Sequence, residues 1–144
     1  MDFRLSEEHL MIREMVRDFV EKEIAPRAEQ IDERDEFPQD LFFKMGEVGL
    51  LGLPLPEEYG GSGSDYTGLV IALEEVARAS GSMAIIYDAH TSLCCEPLYL
   101  FGTEVQKQEL LVPLVRGEKI GAFGLTEPQA GSDAGATRTR AVRD

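Results

Sequence analysis

Basic side chains are scarce in this sequence: 14 Lys and Arg stand against 27 Asp and Glu, for a net charge of -13. A nonspecific binder of phosphate backbones needs a basic surface to release counterions, so this balance argues against nucleic acid. The acidity reads as a solvated surface, with a basic protein partner as the other option. Cysteine occurs twice, as the adjacent Cys94 and Cys95 in a helix-like run. Neighbouring side chains on a helix diverge, which argues against an unstrained disulfide and fits a reducing compartment. There is no CxxC spacing and no second ligand cluster, so no metal site is expected and both thiols read as core residues. The start, Met1-Asp2-Phe3-Arg4-Leu5-Ser6-Glu7-Glu8, has no apolar h-region, and no run reaches membrane-spanning length. Neither a signal peptide nor a membrane association is therefore expected. Internal repeats and low-complexity tracts are missing as well.

What is present is the material of one globular domain. At 144 residues, 43% hydrophobic and 28% charged, the chain should bury about 68–70% of its unfolded surface without needing a staple. Apolar residues recur at helical spacing through most of it. Ser6 suits the cap of a first helix whose inner stripe is Ile12, Val16, Phe19, Val20 and Ile24, with Leu5 and Leu10 placed as a hydrophobic staple. Pro26 predicts a kink or break near Ala25, followed by a short, solvated continuation to Glu36.

Pro38 fits the first position of a second helix carrying Leu41, Phe42, Met45 and Val48, closed by a left-handed Gly49. The connector from Leu50 to Ser64 holds two prolines and a glycine cluster. No strand precedes that cluster and no Gly-Lys-Ser/Thr ends it, so it fails the Walker and dinucleotide patterns, leaving a connector or an irregular phosphate loop.

Asp65 caps a third helix with Leu69, Val70, Leu73, Val76 and Ala77 inward, and Ser82 opens a fourth from Met83 to about Phe101. Ala84, Ile85, Ile86 and Tyr87 are apolar on nearly all sides, as in a central helix. His90, Thr91, Ser92 and Glu96 must then be satisfied internally or line a pocket. Thr103 to Gln106 has the spacing of a capping box for a fifth helix, with Val105, Leu110 and Leu111, ending at Arg116-Gly117.

After Glu118 the character changes. Lys119 to Gly135 reads as a strand, with Thr126 at its end, running into a loop of Gly, Pro, Ser and Asp, and Ala136 to Val142 alternates as a second strand cut off at Asp144. The fold class is thus mainly α: a helical domain of about five to six helices over 1–117, then the first strands of a truncated β domain over 118–144. Physically the loop is either a hairpin connection or a backbone nest for an anion near Ala130-Gly131-Ser132.

The run Phe123-Gly124-Leu125-Thr126-Glu127-Pro128-Gln129-Ala130-Gly131-Ser132-Asp133 resembles a signature of the acyl-CoA dehydrogenase family. Three further runs resemble that family in order: Leu5-Ser6-Glu7-Glu8, Pro56-Glu57-Glu58-Tyr59-Gly60-Gly61, and Phe101-Gly102-Thr103-Glu104-Val105-Gln106-Lys107. The resemblance implies a flavoenzyme of fatty acid β-oxidation that desaturates an acyl-CoA between its α and β carbons, passing a hydride to FAD. It assigns FAD binding to Phe123, Gly124, Leu125, Thr126, Gly131 and Ser132.

Ser132 is also implied to touch acyl-CoA. By the same resemblance, the acyl cavity is lined by the region from Asp88 to Glu96, including His90, Ser92 and Leu93, and His-Thr-Ser-Leu-Cys is most like short-chain or branched short-chain members. The family's catalytic carboxylate has no counterpart among Glu7, Glu96 or Glu127, so no catalytic residue is expected in this chain. The implied partners are an electron-transferring flavoprotein and, for the whole protein, copies of itself in a tetramer. The implied location is the cytoplasm of a bacterium or archaeon, or else the mitochondrial matrix. Two other readings stay open: a stand-alone, non-catalytic helical interaction module, and an acyl-CoA oxidase or flavin monooxygenase of the same superfamily.

Overall fold

The computed structural model describes residues 4–142. The expected domain bounds 1–117 and 118–144 extend past them at both ends. Eight α-helical segments follow in order: α1 Glu7–Phe19, α2 Ala28–Arg34, α3 Gln39–Glu47, α4 Tyr66–Ala79, α5 Gly81–Asp88, α6 Glu96–Phe101, α7 Glu104–Gln106 and α8 Val112–Val115. Wide π turns join several of them end to end, so they make about five helical rods.

Three prolines explain the wide turns. Ala25, Glu96 and Val112, the residues just before Pro26, Pro97 and Pro113, donate to carbonyls five residues back, at Val20, Thr91 and Lys107. A proline ring inside a regular helix collides with the carbonyl four residues earlier and lacks an N–H to bond it. One widened turn absorbs both problems without ending the rod. The kink expected near Ala25 is realised this way, with a single 3-10 turn at Ala25–Arg27 before α2.

Helix ends follow local chemistry. Ser6 accepts from His9 N, Asp65 from Gly68 N, and Thr103 and Gln106 form the reciprocal capping box. Gly49 is left-handed, at φ 78°. Two boundaries differ from expectation. Ser80, not Ser82, caps α5 by accepting from Met83 N, because its extended backbone already breaks α4 two residues earlier. Pro38 is the residue before α3 rather than its first.

α1 packs on α4, and α4 on α5. Val16, Ile24, Leu41, Phe42, Met45, Leu50, Leu51, Val76, Met83 and Tyr87 fill the main core, and each large side chain buried here contributes about 1.5–3 kcal/mol. Tyr87 donates its hydroxyl to Leu50 O at 2.8 Å. A second cluster gathers Leu55, Tyr59, Cys95, Leu111, Leu114 and Val115.

Several residues expected inside are exposed: Val48, Val70, Ile85, Val105 and Leu110, and Ala77. Ile71 and Ala72 take the inward positions on α4, with Glu75 beside them. That buried carboxylate is held by Arg17 at 2.6 and 3.0 Å and by Arg78 at 3.1 Å. Ile85, on the outer side of α5, is 70% exposed, so α5 is not surrounded within this chain as its composition suggested.

The connector is a packed turn rather than an anion loop. Ser62 N and Leu55 N donate to Gly52 O, and Gly63 N donates to Leu55 O. A Cβ on Gly61 would stand 2.0 Å from Leu55 O.

The expected strands do not form. Among the described residues 118–142 the only pairing is an isolated bridge between Glu127 and Ala130. A ladder needs a neighbour for its exposed edges, and two short strands alone are marginal in water. Here the Arg138 and Thr139 N–H groups go to the Glu127 carboxylate instead.

Candidate functional site

The segment after Gly117 leaves the helical body at a defined seat. Gly121 N–H donates to His90 Nδ1 at 3.0 Å, and the Cys94 thiol lies against the Ala122 backbone N–H. A Cβ on Gly121 would lie 2.5 Å from Cys94 Sγ, so only glycine brings the backbone this close. On its other side, His90 Nε2 meets Leu114 O at 3.1 Å, and the ring stacks edge-on against Phe42, centroids 4.9 Å apart. His90 is therefore a satisfied core residue. Burial lowers its pKa from the ordinary value.

Beyond Ala122 the chain runs free. Within the described residues, no backbone hydrogen bond engages Phe123, Gly124, Leu125 or Thr126, and all four are exposed. The chain then turns at Pro128-Gln129. Glu127 N donates to Ala130 O at 2.8 Å, and Ala130 N returns the bond to Glu127 O at 3.1 Å. The Glu127 carboxylate accepts from Arg138 N at 2.8 Å and Thr139 N at 2.9 Å, which ties the two arms of the loop together. Bonding at Thr139 and Arg138 holds its pKa down at about 2.

The local geometry is the tight turn of the hairpin alternative without its paired strands. The anion nest does not form, because Ala130 N–H is committed to Glu127 and Gly131 is not left-handed. Gly124, Leu125 and Thr126 line an open groove together with Glu127, Thr137 and Thr139. Sequence reasoning missed the last two. Their alternation with Arg138 reads as a strand face, and the Glu127 clamp that folds them back is a long-range contact.

Phe123, Gly131 and Ser132 are exposed but not part of that groove. The expected substrate residues do not converge: His90 is buried, Ser92 donates to Asp88 Oδ1 at 2.8 Å, and Leu93 points outward. Cys95 is buried beside His90, with its pKa pushed up to about 12 by burial, and Cys94 is half-buried. Neither is in a disulfide. Among the described residues no group of three or more His, Cys, Asp or Glu could hold a metal, and no helix is long and apolar enough to cross a membrane.

Among the described residues, 123–126 could hold a planar, hydrogen-bonding cofactor. They present unpaired backbone N–H and C=O groups, an aromatic ring, and a hydroxyl at Thr126. A Cβ on Gly124 or Gly131 would meet nothing within 4 Å, so the chain's own packing does not demand glycine there. This donor set fits the edge of a flavin ring.

A mainly helical domain with an extended arm of this composition defines a class, and comparison with known proteins resolves it. The family model "Acyl-CoA dehydrogenase, N-terminal domain" matches residues 6–118. The chain belongs to the acyl-CoA dehydrogenase family.

It is 57% identical to "Probable acyl-CoA dehydrogenase YngJ" of Bacillus subtilis over 99% of this chain and 37% of the relative. It is 51% identical to "Acyl-CoA dehydrogenase, short-chain specific" of Clostridium acetobutylicum over 99% of this chain and 38% of that one. Among solved structures, butyryl-CoA dehydrogenase from Megasphaera elsdenii superposes with TM-score 0.90 at 40% identity, covering 96% of this chain and 37% of the other. An acyl-CoA dehydrogenase complexed with FAD from Bacillus anthracis gives 0.86 at 42%, covering 92% and 23%. A structure described as an electron transferring flavoprotein of Acidaminococcus fermentans gives 0.92 at 46%, covering 96% and 36%. The chain spans little more than a third of the length of the curated relatives it matches.

Proposed function

We propose that this chain is the N-terminal part of a flavoprotein acyl-CoA dehydrogenase that desaturates a short-chain acyl-CoA between its α and β carbons. The carrying observation is the free run 123–126, exposed and without backbone partners between the seat at Gly121 and the turn at Glu127. FAD, when bound, supplies the hydride acceptor. In this reading Phe123, Gly124, Leu125 and Thr126 contact the flavin, and the Thr126 hydroxyl donates to its polar edge, where charge builds up on reduction. Gly131 and Ser132 complete the contact, and Ser132 also touches the acyl-CoA.

His90, Ser92 and Leu93 belong to the helix that limits the acyl cavity, with Leu93 as its outward face. Residues 118–144 begin a second, β domain, whose remaining strands would pair the arm. The catalytic carboxylate belongs to sequence outside this chain. Short-chain specificity is supported by the butyryl-CoA dehydrogenase and the short-chain-specific relative. An electron-transferring flavoprotein is the proposed electron acceptor, the whole protein a homotetramer, and the bacterial cytoplasm its location.

The test is the full-length protein carrying its native downstream sequence. It should purify yellow and bleach anaerobically with butyryl-CoA. A colourless protein inert to acyl-CoA overturns the proposal, and rapid oxygen consumption would favour an oxidase. Thr126→Ala should slow flavin reduction about 10- to 100-fold while acyl-CoA binding stays within about twofold. Unchanged reduction kinetics would remove Thr126 from the site.

A further inference from the structure

His90 sits between two backbone groups of opposite character. Gly121 N–H can only donate, so the Nδ1 it faces must carry a lone pair. Leu114 C=O can only accept, so the Nε2 it faces must carry the proton. One state of the ring meets both demands, the neutral Nε2–H tautomer. Gly121, and Ala122 whose N–H faces the Cys94 thiol, are the last residues of the arm tied to the helical body before the free run at Phe123.

We propose that His90 is a positioning residue, a latch whose neutral Nε2–H ring fixes the start of the flavin-facing run against the helical core through Gly121. The flavin consequence rests on the function proposed above; the latch itself does not. The π turn Ala89–Cys95 is part of the device, since it carries both His90 and the Cys94 on which Gly121 is seated.

The groups facing the ring from the elements around it are few. Phe42 comes from α3, the Leu114 carbonyl from α8, the Gly121 N–H from the arm, and the Cys94 and Cys95 thiols from its own turn. The shift in its pKa has no contribution from a charged side chain, only burial opposed by the two backbone bonds. Protonation would set an Nδ1–H against the Gly121 N–H and release the arm. The latch is therefore closed above the ordinary imidazole range near pH 6.5 and opens as pH falls through the lower pKa of the folded state.

Two substitutions separate the nitrogens. In His90→Asn the amide oxygen stands in for Nδ1 and keeps the Gly121 bond. In His90→Gln the amide nitrogen stands in for Nε2 and keeps only Leu114. Amide exchange by NMR on the chain should show Gly121 protection retained in His90→Asn and reduced about tenfold in His90→Gln, as for one lost hydrogen bond. Equal protection in the two variants overturns the latch.

The unsubstituted chain gives a second reading independent of folding in the variants. Ring 15N shifts of His90 should report the Nε2–H tautomer, with Gly121 protection falling in step with ring titration; an Nδ1–H tautomer overturns the proposal. In the full-length holoprotein, His90→Gln should weaken FAD binding several-fold more than His90→Asn, and equal affinities overturn the positioning role. A full-length protein that binds no flavin would sink the proposed function and leave the Gly121 result to decide the latch.

Discussion

Two carboxylates show how single residues shape this chain. Glu127 accepts two backbone N–H groups across the loop and is held ionised to about pH 2. Its clamp is present above the ordinary glutamate pKa of about 4.3 and is lost as pH falls through about 2. Replacing it by Gln puts an amide N–H against one of those donors. Exchange at the Arg138 and Thr139 amides should rise about tenfold with the thermal midpoint unchanged. Unaltered exchange would show that the clamp does not hold the loop. Glu75, buried on α4, has its pKa lowered by its hydrogen bonds to Arg17 first and then by the arginine charges. A depressed carboxylate stabilises the fold above its unfolded pKa and loses that contribution as pH falls through the folded one. Urea midpoints should therefore fall as pH drops from about 4.3 to the lower folded value, and Glu75→Gln should flatten that dependence.

Helices with strong local signals were legible at the scale of elements. Ser6, Asp65 and the Thr103–Gln106 box cap as their spacing predicts, since capping needs only three or four neighbouring residues. Ser80 against Ser82 was not legible, because both serines have plausible spacing and the choice depends on where α4 ends. The three π turns were hidden too: a proline announces a defect but not whether the rod breaks or widens, and tertiary packing decides that.

From sequence His90 fits two settings, a core residue or a pocket residue. Its geometry makes it a core residue, yet the partners that settle the matter lie 24 and 31 positions away. The connector supplies the sharpest test at this scale. Gly61→Ala drives a methyl into Leu55 O, with backbone on both sides. It should cost about 1–3 kcal/mol, read as a lower urea midpoint at unchanged m-value. A neutral substitution would mean the connector adjusts freely.

For the whole molecule, the body is well packed and its arm is not. Leu93, Leu100, Phe101, Val105, Leu110, Phe123 and Leu125 are exposed apolar residues. They explain why periodicity overstated the buried set: a helical stripe records that a face is apolar, not that this chain covers it. In the function proposed above, residues 123–126, anchored at Gly121, are one wall of a flavin site. The most direct measurement is amide exchange over Phe123 to Thr126 in the full-length protein, with and without FAD. Fast exchange in the apoprotein and protection by about tenfold or more on flavin binding are expected. Identical exchange in the two states, with FAD demonstrably bound, would contradict it.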